Sequence, residues 1–504
     1  MRIETKTMTI QATVSAGDPT PKKPIIAAIR RNDILTVTGI PNSLNLITPH
    51  LGTGTLFDMH DDLRAAVAAD MPRLRELLST LIRLESVSAD GFDPGVVRSS
   101  GEAIVTLLDD LGFDNAQLLE STSGHPAVYA DLPGPEGAPT VLLYAHYDVQ
   151  PTGPLAEWDT SPFEPVERGG RIYGRGAADD KAGIVMHLGA IAAHASDGPP
   201  VRVQLFFEGE EEAGSIGLPE ILEKHADLIS PDVIIIGDGG LWQSDTPAII
   251  TSLRGIVAVK IELRTLHSAV HSGQAGGVVP DALMTLARLL ATLHDDEGNV
   301  AIDDLVSDEV EDSIEVPEGL IRREFGAIDS LELIGTGSLP SRIWTRPAVS
   351  VLAIDAPAVA EAINQLVPVT RAKVSMRIPP GQDTEKALEA LKNHLKANVP
   401  WGAELSFYYE ERGDATVLDS DNHAAAAWRE AFSEAFENEM VEMGAGGSIP
   451  FIATLKELYP NAPILVTGVS DPTSAYHAPN ENVGIEQLER ATLAEAIAFR
   501  LLAS

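Results

Sequence analysis

The sequence predicts an α/β fold with a mostly parallel sheet, into which a second, α+β domain is inserted. Up to about residue 255, short apolar runs alternate with segments of helical periodicity, which is typical of a parallel sheet flanked by helices. Beyond that point apolar residues occupy every second position of the strands, which is typical of half-exposed antiparallel strands. With 504 residues, 44% of them hydrophobic, the chain is long enough for two domains.

The main domain is predicted to begin with an amphipathic helix from about Asp61, where leucine, valine and methionine recur at helical spacing. Apolar runs and helical patterns then alternate as strand 140–145, helix 181–195, strand 201–207, helix 218–226 and strand 232–237. A later helix, 421–439, and the apolar run 462–469 return to this pattern and complete the parallel sheet.

The inserted domain is predicted from strands of alternating polarity with helices between them. The strands are 257–265, 349–355, 372–378 and 404–410, and the helices are 280–295 and 384–399. The expected organisation is therefore an irregular N-terminal extension (1–57), a first part of the main domain (58–255), the inserted domain (256–411) and a second part of the main domain (412–504).

Composition excludes several classes of partner and site. A formal net charge of -38 disfavours nucleic acid and anionic membrane surfaces, whose charges would be repelled. The absence of cysteine excludes disulfides and thiolate chemistry, so a metal ion must bind to His, Asp or Glu. No apolar run approaches the ~18 residues of a membrane span, and the N-terminus lacks the apolar segment of a secretory signal. A cytoplasmic location is therefore expected.

Side chains that bind metals follow several of the predicted strands. In an open α/β sheet, ligands bind beyond the carboxyl ends of the strands. The residues at such places, or at the start of the helix from 181, are His146, Asp148, Asp179, Asp180, Glu211, Glu212, Asp238 and His477. Each alone has an ordinary explanation, such as a helix cap, a turn or a solvated charge run. Their coincidence at one rim predicts a site for a divalent ion such as zinc.

The motifs around these residues resemble those of a known family. The segments HYDVQP, YGRGAADDKAG, FEGEEEAGS, IIIGDGG, SLRG, HSGQAGG, GAGGSIPF and YHAPNE are similar, in order and spacing, to those of the di-zinc dipeptidases typified by carnosinase. The family also includes glutamate carboxypeptidase, acetylornithine deacetylase and succinyl-diaminopimelate desuccinylase. The resemblance extends from about residue 61 to the C-terminus. It implies a zinc-peptidase catalytic domain with an inserted lid and dimerisation domain.

The resemblance also implies a role for each site residue. The implied ligands of two divalent metal ions, zinc or alternatively cobalt or manganese, are His146, Asp179, Glu212, Asp238 and His477. Asp179 would bridge the two ions, and Asp148 would receive the ring N–H of His146 and fix its orientation. Glu211 is the implied general base.

Other residues are implied to complete the site. His271 would reach the active site of a neighbouring subunit, in a homodimer formed through the inserted domain, and would stabilise the oxyanion. The C-terminal carboxylate of the substrate would be held by Arg377, Gly446, Gly447 and Ser448. Arg254 is interpreted as part of a salt bridge at the lid hinge and is given no catalytic role.

The leading hypothesis is a dipeptidase that hydrolyses short peptides with a hydroxide bridging two zinc ions. The charges support it, because two Zn²⁺ would be balanced by the three ligand carboxylates and one hydroxide. An N-acyl amino acid deacylase is the alternative, since the same metal site cleaves any amide. A catalytically silent metal-binding scaffold is a third possibility. The expected partner is a small peptide or N-acyl amino acid substrate, without nucleic acid or membrane.

Overall fold

The computed structural model describes residues 60–113, 115–309, 316–447 and 450–504. The predicted N-terminal extension, 1–57, lies outside the described residues. The α-helices are α1 (Asp61–Ile82), α2 (Pro94–Asp110), α3 (Lys181–Ala193), α4 (Leu218–Lys224), α5 (Ser272–Ala275), α6 (Ala282–Leu290), α7 (Glu318–Glu324), α8 (Thr384–Ala397), α9 (His423–Phe436), α10 (Pro450–Leu458) and α11 (Ile485–Leu502). In the part of the chain that is described, none of them has the length and apolar character needed to cross a bilayer.

The strands fall into one large sheet and three smaller ones. In chain order they are β1 (Gln117–Leu119), β2 (Ala127–Leu132), β3 (Thr140–His146), β4 (Val166–Arg168), β5 (Arg171–Tyr173), β6 (Arg202–Glu208), β7 (Val233–Ile236), β8 (Ala248–Leu253), β9 (Gly255–Arg264), β10 (Val270–His271), β11 (Ala348–Ile354), β12 (Gln365–Leu366), β13 (Val369–Ile378), β14 (Glu404–Gly413), β15 (Thr416–Val417), β16 (Val441–Ala445), β17 (Ile464–Val466) and β18 (Asn482–Gly484).

The large sheet has a parallel centre and mixed margins. Its strand order is β1-β2-β6-β3-β7-β17-β8-β15, and β16 pairs with β8. The central strands β6, β3, β7 and β17 are mutually parallel, as predicted. One margin, β1-β2-β6, is antiparallel, and β8 runs antiparallel to β17 and β15 but parallel to β16. The predicted α/β class is confirmed, with a sheet that is mixed as a whole.

Strand β3 runs through the middle of this sheet and is buried on both faces. Val141, Leu143 and Ala145 belong to a core formed with α1, α3, α9 and α11. Leu142 and Tyr144 belong to a second core, on the opposite face, formed with α4 and α10. A strand covered on both faces carries an uninterrupted apolar run. The change to polar residues therefore marks its carboxyl end.

A second sheet, with the order β11-β13-β9-β14, is entirely antiparallel. Alternate side chains of β9, among them Val257, Val259 and Ile261, are buried in a separate core with apolar residues of α6 and α8. This arrangement is the inserted α+β part of the fold. The exact bounds of the two domains stay a prediction.

A small sheet joins two loops that are far apart in the sequence. Its order is β18-β5-β4, and Asn482 pairs with Tyr173 in an antiparallel register. The pairing brings the loop that ends at β18 beside the loop that follows β5. The first of these loops contains His477 and the second contains Asp179.

Candidate active site

His146, the last residue of β3, is fully buried and has different partners on its two ring nitrogens. With Nδ1 assigned as the donor, it donates to the backbone carbonyl of Asp148 at 3.1 Å and lies 3.4 Å from the Asp148 carboxylate. Nε2 lies 3.0 Å from Asp179 Oδ1 and 3.7 Å from Asp238 Oδ1. The ring is therefore fixed from one side and presents Nε2 to two converging carboxylates.

Asp148 has a second function that the sequence did not indicate. Its buried carboxylate accepts hydrogen bonds from Ser88 Oγ at 2.6 Å and from the backbone N–H groups of Glu211 and Glu212 at 3.2 and 3.1 Å. These two glutamates begin a short 3₁₀ turn. The same carboxylate thus lies against the His146 ring and holds the turn that carries two further carboxylates.

The two oxygens of Asp179 face different histidines. Oδ1 is 3.0 Å from His146 Nε2, and Oδ2 is 2.9 Å from His477 Nε2, which also lies 3.1 Å from Glu212 Oε2. Burial alone would raise the pKa of Asp179, but the hydrogen bonds to both histidines outweigh it and hold that pKa below its usual range. Burial lowers the pKa of His477, but the carboxylates of Asp179 and Glu212 have a larger opposite effect and raise this pKa to about 10. This is the geometry of a carboxylate placed between two cation positions.

Glu211 and Asp238 are half-buried residues whose carboxylates receive few hydrogen bonds from the described residues. Among the described residues, none donates a hydrogen bond to the Glu211 side chain. Burial, reinforced by the Asp238 charge, raises the pKa of Glu211 well above its ordinary value. Burial also raises the pKa of Asp238 to about 6. Glu212 differs, because Gln150 Nε2 donates to it at 2.8 Å.

The donor atoms of this cluster lie close enough together to hold metal ions. One ligand atom each from His146, Glu211 and Asp238 lie within 4.8 Å of one another, and the same holds for His146, Asp179 and Glu212. Imidazole nitrogen and carboxylate oxygen are donors that zinc and similar divalent ions accept. Cations would also offset the burial and the mutual repulsion that raise the pKa values of Glu211 and Asp238. The residues present therefore fit a candidate two-metal site.

A buried ion pair holds the loop that carries Asp179. Arg175 Nη1 donates to Glu481 Oε2 at 2.6 Å, and both side chains are buried. Glu481 also accepts hydrogen bonds of 3.1, 2.9 and 3.1 Å from the backbone N–H groups of Gly176, Ala178 and Asp179. Because Glu481 closely follows His477 in the chain, it connects the loop that carries His477 with the loop that carries Asp179. No local sequence pattern indicates this contact, because it depends on the pairing of β18 with β5.

A cavity of about 520 Å³ opens beside the cluster, a volume typical of small-molecule sites. The charged groups on its wall include Asp179, Glu211, Asp238 and His477. Much of the rest is apolar and includes side chains of α7 and two tryptophans, Trp242 and Trp344, packed edge to face with ring centroids 6.1 Å apart.

Only some of the predicted substrate-binding residues line this cavity. Gly446 and Gly447 line it, whereas Arg377 is not among its lining residues. Ser448 lies outside the described residues. Arg254, which was given no catalytic role, does line the cavity. Among the described residues it forms no salt bridge, and its interpretation as part of an ion pair at the lid hinge stays a prediction.

His271 lies apart from the metal-ligand cluster. It is exposed on the short strand β10, and its Nδ1 accepts a hydrogen bond from the Gly273 N–H at 3.0 Å. It does not line the cavity of its own chain. Its predicted role in a neighbouring subunit stays a prediction.

Histidines and carboxylates that converge at the carboxyl ends of parallel strands, beside a cavity of small-molecule size, define a metal-dependent hydrolase. The chain belongs to peptidase family M20/M25/M40, because the model of that family matches residues 142–498.

Individual relatives agree with this assignment. The chain is 31% identical, over 404 residues, to the cysteinylglycine-S-conjugate dipeptidase of Corynebacterium striatum. The aligned region covers 78% of this chain and 87% of the relative. It is 32% identical, over 277 residues, to the Beta-Ala-His dipeptidase of Rattus norvegicus, covering 51% and 54% of the two chains. The fold matches human carnosine dipeptidase 1 with a TM-score of 0.76 and 22% identity, covering 89% and 99%. The predicted family and the predicted peptidase class are confirmed.

Proposed function

We propose that this protein is a dipeptidase that hydrolyses the peptide bond of an unblocked dipeptide with the help of two divalent metal ions. The Asp179 carboxylate carries the proposal, because its two oxygens face His146 and His477 while the uncompensated Glu211 carboxylate lies in the same cluster. The two relatives described above are both named as dipeptidases, which favours a dipeptide over an N-acyl amino acid as substrate.

The proposed metal site uses five ligands and shares Asp179 between two ions. The ligands are His146, Asp179, Glu212, Asp238 and His477. Zinc is the proposed metal, and cobalt or manganese would accept the same nitrogen and oxygen donors. When bound, two such ions polarise the scissile carbonyl and lower the pKa of a water molecule toward neutrality.

Glu211 is the proposed general base. Its carboxylate accepts a proton from the attacking water and later delivers it to the nitrogen of the leaving amine. Asp148 positions this group, because it accepts the Glu211 N–H while lying against the His146 ring. Arg377, Gly446, Gly447 and Ser448 stay assigned to the substrate carboxylate.

We also propose a cytoplasmic homodimer formed through residues 256–411, the lid and dimerisation domain, in which His271 completes the site of the second subunit. Strand β11 lies at the edge of its sheet, and Val351, Leu352 and Ile354 are exposed on it. A second copy that covers this edge would remove both the unpaired backbone and the apolar surface from water. Dilution to monomer, or His271→Ala, should then lower turnover more than metal content. Unchanged turnover in both cases would mean that one chain suffices.

The substrate class is tested with a panel of compounds. Unblocked dipeptides, β-alanyl dipeptides, longer peptides and N-acetyl amino acids are offered to zinc-loaded protein and to a chelated control. Chelator-sensitive cleavage confined to dipeptides supports the proposal. Cleavage confined to N-acetyl amino acids would make the protein a deacylase with the same residues in the same roles, and metal binding without any cleavage would indicate a scaffold.

The role of Glu211 is tested with Glu211→Gln, using Glu120→Gln on the surface as the control. The base variant should keep both metal ions and lose about 10²- to 10⁴-fold in turnover, the usual contribution of a general base. Full activity would show that the base is another group. Loss of one metal ion would show that Glu211 is a ligand.

A further inference from the structure

A second cavity, of about 280 Å³, lies in the inserted part of the fold. It is bounded by the carboxyl end of β9 and the residues that follow it, by Pro280 before α6 and by the loop that leads into β14. None of its lining residues also lines the cavity beside the metal-ligand cluster. The volume lies just below the range typical of drug-sized ligands, so it suits a molecule about the size of one amino acid.

Trp401 lines this cavity in a conformation that is unfavourable in two ways. Its φ of 55° lies in the left-handed region, which bulky side chains adopt at a steric cost and which glycine or asparagine adopts more readily. Its side chain is also 61% exposed, although the guanidinium of Arg288 packs 5.1 Å from the ring centroid. Neither feature stabilises the fold, so both favour a role of the ring in binding a ligand.

Two opposite charges line the same cavity without pairing with each other. Glu404 on β14 stands directly opposite Arg264 on β9, so the two side chains lie on the same face of the sheet. Arg264 Nη2 instead lies 3.1 Å from Glu262, which also pairs with Arg371. Glu404 forms no salt bridge within the described part of the chain. The cavity therefore presents a carboxylate and a guanidinium side by side, each able to bind a group of opposite charge.

The wall also contains a hydroxyl group without a partner. Thr265 lines the cavity, and its Oγ1 is buried but forms no hydrogen bond with any described residue. Its backbone N–H donates to the Pro368 carbonyl at 3.0 Å, so the backbone is fixed while the hydroxyl is not. Leaving a buried hydroxyl unpaired is unfavourable, because it has lost its hydrogen bonds to water. The unpaired hydroxyl is a further observation that points to a polar ligand.

We propose that this cavity binds a free α-amino acid with an apolar side chain. Arg264 and the hydroxyl of Thr265 bind the α-carboxylate, and Glu404 binds the α-ammonium group. Trp401 packs against the apolar side chain. A zwitterion fits this wall because it carries a counter-charge for each of the two charged groups. The inference does not depend on the proposed function, since it uses no residue of the metal-ligand cluster or of the cavity beside it.

The site is tested by fluorine NMR of protein labelled with fluorotryptophan, in which each tryptophan of the chain gives its own signal. The Trp401 signal is identified by its loss in Trp401→Asn. Phenylalanine should shift this signal in a saturable way, because the ring lies at the cavity wall. Trp242 and Trp344 line the other cavity and report any binding there. No shift of the Trp401 signal, or a shift confined to the signals of Trp242 and Trp344, overturns the inference.

Analogues of phenylalanine separate the contributions of the two charges. Glu404→Gln should weaken phenylalanine binding at least about tenfold, the usual effect of losing a hydrogen bond to a charged group, but should not weaken binding of phenylpropionate, which lacks the ammonium group. Arg264→Gln should weaken binding of both compounds but not of phenylalaninamide, which lacks the carboxylate. Glu361→Gln changes an exposed carboxylate that does not line the cavity and serves as the matched control. Equal losses for all three compounds in either cavity variant overturn the assignment.

A purely structural role of Trp401 predicts a different result. If the ring only holds its loop through Arg288, Trp401→Asn melts at a lower temperature and still binds phenylalanine in calorimetry. Under the proposal the variant loses phenylalanine binding while its melting temperature stays equal or rises, because asparagine adopts the left-handed conformation more readily. Unchanged phenylalanine binding overturns the inference at any melting temperature. If the variant melts earlier and also loses binding, the result for Glu404→Gln decides, since that substitution leaves the loop intact.

Discussion

The contact between Glu481 and the Asp179 loop can be tested by replacing one carboxylate oxygen with an amide group. Glu481 is fully buried and accepts four hydrogen bonds, from Arg175 Nη1 and from the backbone N–H groups of Gly176, Ala178 and Asp179. Glu481→Gln has nearly the same shape, so it leaves no cavity. It removes the charge that Arg175 requires and turns one acceptor into a donor that faces other donors.

The expected cost follows from these contacts. The amide keeps one acceptor oxygen, so about half of the hydrogen bonds are lost, each worth about 1.5–3 kcal/mol because the acceptor is charged. The loss is then at least about 3 kcal/mol, in the range measured when one partner of a buried ion pair is removed. Since about 1.4 kcal/mol corresponds to a factor of ten, the loop around Asp179 should open about 150-fold more often.

Hydrogen exchange followed by mass spectrometry measures this opening directly. Peptides that contain the amides of Gly176 to Asp179 should exchange about 150-fold faster in the Glu481→Gln variant, while peptides from β3 keep their protection. Glu120→Gln, which breaks an exposed pair with Arg98, serves as the control and should change exchange less than threefold. If the loop amides of the Glu481 variant exchange within threefold of the wild-type protein, the proposed anchoring is wrong.

Three other perturbations test the same site. Asp148→Asn should weaken metal binding about 10- to 100-fold in a chelator competition, because it disturbs both the His146 ring and the turn at Glu211. Burial opposes ionisation of Asp471, but its hydrogen bonds, above all those from Arg171, have a larger effect and lower the pKa of Asp471 from 3.8 to about 2. The resulting stability, about 2 kcal/mol, is present above about pH 4 and is lost as the pH falls toward 2. Asp471→Asn should therefore melt earlier at pH 6 and lose less stability in acid, and equal acid sensitivity in both proteins would refute this. Added zinc should raise the melting temperature of apoprotein, since the cations bind only the folded site, and no shift would contradict a preformed site.

The residues that form the candidate metal site could be predicted to lie together because local sequence patterns mark their positions. His146 follows an apolar run that is continuous because both faces of β3 are covered, so the first polar residue marks the strand end. Glu211 and Asp238 follow strands of the same parallel centre. In a parallel sheet those ends meet at one edge, which is why the separate motifs converge.

The residues that hold the ligands could not be predicted in the same way. Glu481 accepts a hydrogen bond from Arg175, which is 306 positions away in the sequence. The two residues are neighbours because β18 pairs with β5, and no local pattern specifies that pairing. Arg254 stands in the segment SLRG, which does not reveal whether an arginine is paired. The strands β8 and β16 were also missed, because they lie at the mixed margin of the sheet and lack the uninterrupted apolar run of a central strand.

Two kinds of buried carboxylate form this site, and hydrogen-bond donors separate them. Asp148 and Glu481 accept several N–H donors, which fix both carboxylates so that they position other groups, although burial raises the pKa of Glu481 as well. Glu211 and Asp238 receive little such compensation in the described structure, and burial raises the pKa of each. A carboxylate left in that condition is stable as an anion only beside a cation. In the sequence all four are acids near strand or loop ends, and no local pattern separates one kind from the other. The folded backbone supplies N–H groups to Asp148 and Glu481 but not to the carboxylates of Glu211, the proposed general base, and Asp238, a proposed metal ligand. This difference separates the positioning residues from the proposed reactive ones.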